Sequence, residues 1–334
     1  MDLDTFLTTL YVIVDEWFRD KKIAKDLKRC GPMPKMSDVE VLVVAIAGQW
    51  RKGVPWDSER SLVRYMNEHG KEWFPKMLKR SAFNQRVRNL WAILLRLQQD
   101  ISHILREPDQ LYEIVDTVPV PVGSISQSKA EKGHWFHTAD VGYGGNQGRM
   151  YWGHQVLMSI QANGAITGWL LSAASSDDRW LLQGLLSQRA GCAHLVVPKA
   201  WRPHRQLTPP YFLGAFQACG QSTCSIYLAD KGFNGFRWHN HWLTIYQVEV
   251  LTLPSKGTRS SCSRSWTAWF SKLRQPIETV FALLTEVFDL KRLRAHSLWG
   301  LYTRLALATT AHNIGILLNR TLERALLSHA TLIC

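Results

Sequence analysis

The sequence predicts a mixed α/β protein with an all-helical N-terminal domain, and three observations support that prediction. Residues 1–108 combine helix-capping signals with apolar residues at helical spacing. From residue 110 onward the apolar residues instead form the runs and alternation that are typical of β-strands. Beyond residue 175, predicted helices and strands follow one another in turn, which favours a mixed sheet flanked by helices.

Capping signals and turns define the helices of the N-terminal domain, residues 1–108. Ser37 followed by Glu40 is a capping box, and it opens a helix through VEVLVVAIAGQW. A second helix is predicted through RSLVRYMNEHG and ends at Gly70, because glycine readily terminates helices. Ser81 is expected to cap a long third helix through SAFNQRVRNLWAILLRLQQDI.

The third helix carries arginines in its N-terminal half, which is typical of a helix-turn-helix that reads DNA. Arg86 and Arg88 lie in its first two turns, and Arg80 directly precedes it. The N-terminal end of such a helix can enter the major groove, so these three side chains are predicted DNA contacts. A plain helical bundle whose arginines face solvent is the alternative, because charge alone does not separate the two.

Strand patterns dominate the segment that follows residue 110. The run YEIVDTVPVPV, residues 112–122, is rich in β-branched residues and is predicted to be a buried strand. YWGHQVLMSIQANG ends in Asn163-Gly164, the strongest short hairpin signal, and leads into the strand AITGWLLS. These segments predict an antiparallel meander.

Helices and strands alternate through the rest of the second predicted domain, residues 109–318. SSDDRWLLQGLLSQ is a predicted helix and CSIYLAD a strand, followed by a helix near 235–243 and a strand near 246–252. RQPIETVFALLTEVFDL is a helix with apolar residues at helical spacing. An apolar helix spans 298–318, and residues 319–334 are predicted to form a helical tail.

The chain is strongly basic, and its excess charge is concentrated in one region. It carries 40 Lys and Arg against 27 acids and has a pI near 9.6, which favours a polyanionic partner such as nucleic acid. Residues 189–274 hold eleven basic residues and two acids. Basic side chains interleaved with aromatics neutralise phosphates and stack unpaired bases. A membrane surface as the anionic partner, and tryptophans buried in a core, are the alternatives. The interleaved tryptophans are Trp201, Trp238, Trp242, Trp266 and Trp269.

The sequence predicts neither secretion nor insertion into a membrane. Asp2 lies where a signal peptide would be positive, and Arg304 interrupts the apolar stretch 298–318. The six cysteines include no CxxC pair, so reduced thiols are expected, and Cys219 with Cys224 is a weak zinc signal. A cytoplasmic protein associated with the nucleoid is therefore predicted.

Three acids stand in segments that can direct a carboxylate to a shared metal site. Asp116 lies in the first strand, Asp230 ends the strand CSIYLAD, and Glu278 lies on the helix RQPIETVFALL. Three carboxylates from distant parts of a chain suit two-metal phosphoryl transfer. Taken singly, each acid is also explained by a turn, a cap or a surface ion pair. Weaker candidates for the same site are Glu286, Asp289, Asp140, His134 and His137.

The order of these motifs resembles the DDE transposases of bacterial insertion sequences, most closely the IS982 family within the broad IS4 and IS5 group. The resemblance spans nearly the whole chain. It implies an RNase H-like catalytic core, two Mg²⁺ ions with Mn²⁺ as a substitute, and double-stranded DNA as partner, both terminal inverted repeats and target DNA. The matching stretches are MSDVEVLVVAIAG, RYMNEHGKEWFPKMLKRSAFNQRVRNL, IVDTVPVPV, YWGHQVLM, LADKGFNG, RQPIETVFALL and LKRLRAHS, followed by an apolar helix.

The same resemblance assigns roles to individual residues. Asp116, Asp230 and Glu278 correspond to the catalytic, metal-binding triad of the family. Arg274 stands four residues before Glu278, as in the Tyr, Arg, Glu, Lys signature of related families, and is an implied phosphate contact.

Other phosphate contacts depart from that signature. Ser271 occupies the position of the tyrosine and Thr285 that of the lysine. Lys291 or Arg292 is the expected replacement for the lysine, and Lys231 is a further candidate phosphate contact.

Three functions remain open on these grounds. The first is an active transposase, whose pairing of two DNA ends predicts at least a dimer on DNA. The second is a metal-dependent nuclease of the same fold without a role in transposition. The third is a catalytically inactive or domesticated DNA-binding derivative.

Overall fold

The protein is described from a computed structural model, which divides the chain into two compact units. Unit 1 comprises Met1–Ile101, Leu283–Leu290 and Trp299–Cys334. Unit 2 comprises Ser102–Ala282 and Lys291–Leu298. The residues described are 1–27, 34–123, 125, 136, 138–144, 149–190, 224–254 and 263–333.

The described residues form a mixed α/β protein, as the sequence predicts. The helices are α1 (Leu3–Asp20), α2 (Ile23–Asp26), α3 (Asp38–Ala47), α4 (Glu59–Glu68), α5 (Arg80–Asn89), α6 (Trp91–Ile104), α7 (Asp178–Arg189), α8 (Phe236–Tyr246), α9 (Arg264–Glu286) and α10 (Leu298–Thr321). The strands are β1 (Tyr112–Gly123), β2 (Asp140–Gly144), β3 (Arg149–Ile160), β4 (Ile166–Ala173), β5 (Ile226–Ala229) and β6 (Glu249–Thr252).

Local signals determine where the helices of unit 1 begin and end. The predicted capping box is confirmed, because the Ser37 side chain accepts the Glu40 N–H while the Glu40 carboxylate accepts the Ser37 N–H. The prediction that Ser81 caps the third helix is wrong, since α5 begins one residue earlier, after Lys79. The predicted long helix is also divided, because Leu90 at φ −94° and ψ 8° leaves the helical conformation between α5 and α6.

The C-terminal helix α10 belongs to unit 1, which differs from the predicted domain boundaries. Residues 299–318 were expected in the 109–318 domain, with 319–334 as a separate tail, but both group with the N-terminal helices. The reason is that α10 is buried on nearly all sides and must pack within a core. The hydroxyl of Thr309 lies 3.3 Å from Gln98 Oε1, and that of Thr310 lies 3.3 Å from the Leu94 carbonyl.

Unit 2 contains a mixed six-stranded sheet, in which five strands follow the order β2-β3-β1-β5-β6 and β4 pairs with β3. Strands β1, β3 and β4 form the predicted antiparallel meander, while β5 and β6 run parallel to β1. Strand β4 pairs with residues 154–160 of β3, and β2 pairs with residues 149–153 of the same strand. The predicted hairpin is confirmed, with the Gln161 carbonyl accepting the N–H of Gly164, whose φ is +89°.

One edge of β1 is open where β5 ends. Strand β5 pairs only with Tyr112–Val115, so the rest of β1 has no partner on that side within the described residues. Pro119 and Pro121 lie in this part of β1, which a proline tolerates because it has no N–H to donate to a neighbouring strand. The open edge begins at Asp116.

Helix α7 packs on one face of the sheet and fixes which β1 side chains it meets. The core between them includes Val115, Leu181 and Leu185, all fully buried. Side chains alternate along a strand, so Thr117 lies on the α7 face with Val115 while Asp116 points to the opposite face.

The described helices would need about 20 predominantly apolar residues to cross a lipid bilayer. None of them is both long enough and apolar enough to span a membrane.

Candidate active site

Strands β1 and β5 bring two of the predicted acids together. Val115 of β1 and Ala229 of β5 are paired in parallel register, and Asp116 and Asp230 are the next residue on each strand. Neighbouring parallel strands carry equivalent positions to the same edge of the sheet, so the two carboxylates lie side by side. The Asp116 side chain is 24% exposed and that of Asp230 44%, which leaves both reachable from solvent.

A single arginine from α9 bridges the two carboxylates. Arg274 Nη2 lies 2.9 Å from Asp116 Oδ2, and Arg274 Nη1 lies 3.3 Å from Asp230 Oδ1. The other oxygen of Asp116 accepts the backbone N–H of Thr117 at 2.8 Å. Arg274 therefore lies against both carboxylates, and its predicted contact with phosphate stays a prediction.

Glu278 lies one helical turn beyond Arg274 on α9, and its side chain is exposed. Among the described residues, no hydrogen bond or ion pair joins Glu278 to Asp116 or Asp230. The structure thus brings two members of the predicted triad into contact with a common arginine, and Glu278 as the third acid stays a prediction.

A further carboxylate, Asp178, stands close to this pair although the sequence did not assign it to the site. It is the first residue of α7, and it accepts a hydrogen bond from the side chain of Thr117. Its Oδ2 lies 3.0 Å from where a Cβ on Gly232 would stand, two residues after Asp230. The run Ser-Ser-Asp-Asp marks a helix start, but no spacing rule shows that this start faces the end of β5.

Burial and like charges both act on these acids. Burial raises the pKa of Asp116 to about 6, opposed by Arg274 and the Thr117 N–H and reinforced by Asp230 and Asp178. Burial likewise raises the pKa of Asp178 to about 6, opposed by the Thr117 hydrogen bond and reinforced by Asp177 and Asp230. Arg274 contacts Asp116 and Asp230, and Asp178 adds a third negative charge nearby, so the repulsion among these acids favours a further cation.

The donor set suits a hard divalent cation. Carboxylate oxygens at a solvent-reachable edge are the ligands that Mg²⁺ prefers, and Mg²⁺ keeps several water ligands of its own. Within the described ranges, no group of three or more His, Cys, Asp or Glu side chains is arranged to hold a metal ion. Asp116 and Asp230 could supply two carboxylate ligands to such an ion, and a metal at this edge stays a prediction.

The other predicted phosphate contacts of unit 2 are exposed. Lys231 directly follows Asp230 and begins the 3₁₀ turn Lys231–Phe233. Lys291 and Arg292 lie in the 3₁₀ turn Leu290–Arg292, with exposed side chains. Exposure leaves these cations available to a polyanion, and their contacts with phosphate stay predictions.

The predicted DNA contacts of unit 1 differ in how they are held. Arg86 is bound by the buried Asp38, with Nη2 2.6 Å from Oδ1. The guanidinium of Arg88 stands 5.9 Å from the ring centroid of Trp299. Arg80 is exposed. Arg86 and Arg88 therefore have structural partners within unit 1, and Arg80 is the most accessible of the three.

The basic, tryptophan-rich region combines core and surface residues. Trp242 is fully buried and donates its indole N–H to Gln183, as the core alternative expects. Trp266 and Trp269 are 39% and 50% exposed, with ring centroids 4.9 Å apart. Arg189 is buried in an ion pair and is not available to DNA. Outside the described residues lie Trp201, His134, His137 and Cys219.

Comparisons with known proteins do not add to this geometry. No protein-family model, no curated protein and no solved structure matches the chain. The function is therefore inferred from the motifs together with the arrangement of Asp116, Asp230 and Arg274.

Proposed function

We propose that this chain is a transposase that cleaves DNA at the ends of an insertion sequence and joins them to target DNA by metal-dependent phosphoryl transfer. The observation that carries the proposal is the contact of Asp116 and Asp230 with one arginine at the open edge of β1. These acids lie 114 residues apart in sequence, at the two motifs that resemble the family triad.

Each residue of the candidate site has its own role in the proposed reaction. Asp116 and Asp230 would hold divalent cations through carboxylate oxygens, and Glu278, exposed on the next turn of α9, would provide the third acid. Bound Mg²⁺ or Mn²⁺ would activate a water and stabilise the leaving 3′ oxygen. Arg274 can turn its two terminal nitrogens to a phosphate, because a guanidinium binds phosphate and carboxylate in the same fork geometry.

The remaining features are compatible with this activity. An antiparallel meander followed by parallel strands supports the RNase H-like core that the family resemblance implies. Exposed Arg80 in unit 1 and exposed Lys231, Lys291 and Arg292 in unit 2 supply positive charge for duplex DNA. Two ends held together require at least a dimer on DNA, which sedimentation with and without end DNA would measure.

The test is cleavage of a labelled duplex that carries the inverted repeats flanking the gene. With Mg²⁺ the purified full-length protein should release a 3′ hydroxyl at the repeat end and then join that end to a target plasmid. Asp116→Ala, Asp230→Ala and Glu278→Gln should each abolish both steps. Glu286→Gln is the matched control, since this exposed acid lies on the same helix eight residues further on.

Each outcome separates the proposal from its alternatives. Cleavage without joining, and without preference for the repeats, indicates a nuclease of the same fold. Binding to the repeats without cleavage in Mg²⁺ or Mn²⁺ indicates an inactive derivative. If Asp116→Ala cleaves as well as the parent, the site assignment is wrong.

A further inference from the structure

Asp178 lies near the edge that carries Asp116 and Asp230, on the face of the sheet opposite to Arg274. Asp116 points away from α7, towards Arg274, whereas Thr117 points towards α7 and donates its hydroxyl hydrogen bond to Asp178. Thr117 also donates its backbone N–H to Asp116 at 2.8 Å. One residue therefore connects the two carboxylates across the edge of β1.

The turn after β5 is shaped to admit this side chain. The Asp178 carboxylate lies so close to Gly232 that a Cβ there would stand 3.0 Å from Oδ2, tighter than ordinary van der Waals contact. The chain leaves β5 through Asp230 and passes Gly232 two residues later. The Asp178 side chain thus lies between Thr117, which follows Asp116, and Gly232, which stands two residues after Asp230.

We infer that Asp178 is a positioning residue of the proposed active site. Its carboxylate strengthens the binding of a divalent cation by accepting hydrogen bonds from the cation's water ligands, and Thr117 holds the Asp178 side chain in place. This inference rests on the proposed function. A direct bond to the cation is not required, because the described residues offer no arrangement of three such ligands and Mg²⁺ retains water. Outer groups of this kind change metal affinity by about 10- to 100-fold when they are removed.

The neighbouring acid provides a matched control. Asp177 caps α7, accepting the Arg179 N–H at 2.9 Å, and its carboxylate is ion-paired to the Arg179 side chain. Asp177→Asn and Asp178→Asn each remove one negative charge from the N-terminal end of the same helix. An asparagine at 178 still offers an oxygen to Thr117, so this variant removes the charge and keeps the hydrogen bond.

The experiment measures thermal unfolding of the full chain while Mn²⁺ or Mg²⁺ is titrated, together with the unfolding midpoint in EDTA. In Asp178→Asn, the cation concentration that gives half of the maximal thermal shift should rise at least about tenfold. The unfolding midpoint of this variant in EDTA should equal or exceed that of the parent. Thr117→Val should weaken the response to the cation in the same direction, and Thr117→Ser should restore it. Asp177→Asn should respond as the parent does.

Two results would overturn the inference. One is a parental cation response in Asp178→Asn. The other is an EDTA midpoint that falls in Asp178→Asn, since that marks a structural role for the carboxylate. Failure of the proposed function has a different signature, because the parent itself would then show no Asp116-dependent thermal shift and no cleavage.

Discussion

Two carboxylates of β1 that are only three residues apart, Glu113 and Asp116, both contact an arginine, but they differ in burial and in how completely their charge is neutralised. Glu113 and Arg189 pair at 2.6 Å with side chains 6% and 5% exposed, and the same carboxylate accepts the hydroxyls of Ser159 and Thr167. Asp116 shares Arg274 with Asp230 and lies near a further acid, at an edge that solvent reaches.

The two sites shift the pKa of their carboxyl groups in opposite directions. Burial alone would raise the pKa of Glu113, but Arg189 and the hydroxyl donors hold the pKa below its ordinary value. Around Asp116 the same kinds of interaction do not overcome burial and like charge, so its pKa rises to about 6. A satisfied ion pair stabilises the sheet, whereas an under-neutralised group of acids is prepared to bind a cation.

On the proposed function, the largest effect expected to distinguish the two sites is a loss of DNA cleavage in Asp116→Asn. Transition-state stabilisation by a metal is worth several kcal/mol, so we expect the DNA cleavage rate to fall by about 1,000-fold or more. The metal-free protein should unfold at the same temperature or higher, because a charge disfavoured by the fold has been removed. Rate measurements and calorimetry on one preparation test both, and a large loss of stability would contradict the comparison.

Glu113→Gln is expected to act in the reverse manner. It leaves Arg189 buried without its counter-ion, which should lower the free energy of unfolding by about 3 kcal/mol. Urea denaturation measures this change. The double variant Glu113→Gln, Arg189→Met should recover much of it, because no unpaired buried charge remains. Equal losses in the single and double variants would show that the pair is not coupled.

Arg274→Gln should have an intermediate effect and lower the free energy of unfolding by about 1 kcal/mol. Partly exposed ion pairs of this kind contribute about 0–1 kcal/mol each. Asp116 and Asp230 then repel each other without a shared cation. Added Mg²⁺ should therefore stabilise this variant more than the parent, which melting curves with and without the ion would show. Lys272→Gln, an exposed cation on the same helix, is the control and should behave as the parent.

The smallest expected effect is a difference in pH dependence. Asp116 has a folded pKa of about 6 against an ordinary 3.8, so its contribution to stability is present below pH 3.8 and lost as pH rises through 6. Glu113 has a lowered pKa, so its contribution is present above 4.5 and lost as pH falls through the folded value. Melting of the parent, Asp116→Asn and Glu113→Gln is measured between about pH 5 and 6 for the Asp116 slope and from about pH 4.5 downward for the Glu113 slope. Slopes of the same sign in the two windows would contradict the assignment.

The sequence could predict those parts of the site that depend on local pattern. The β-branched run around Asp116, the strand end at Asp230 and the helical spacing around Arg274 each fix a local element. The position of Asp178 depends instead on how α7 lies across β1, which a single sequence does not encode in any spacing. The division of α5 from α6 at Leu90 and the grouping of α10 with unit 1 were missed for the same reason, because tertiary packing decides them.

The composition of unit 1 has a consequence for how the protein is made. Its core includes α10, whose Thr309 and Thr310 contact Gln98 and Leu94, so residues 1–101 lack part of their own interior until α10 has been synthesised. Domains usually fold in order as they are synthesised. Here residues 1–101 cannot complete their packing before α10 is made, and a transcript cut short before α10 would yield a chain whose helices α1 to α6 lack that part of their core.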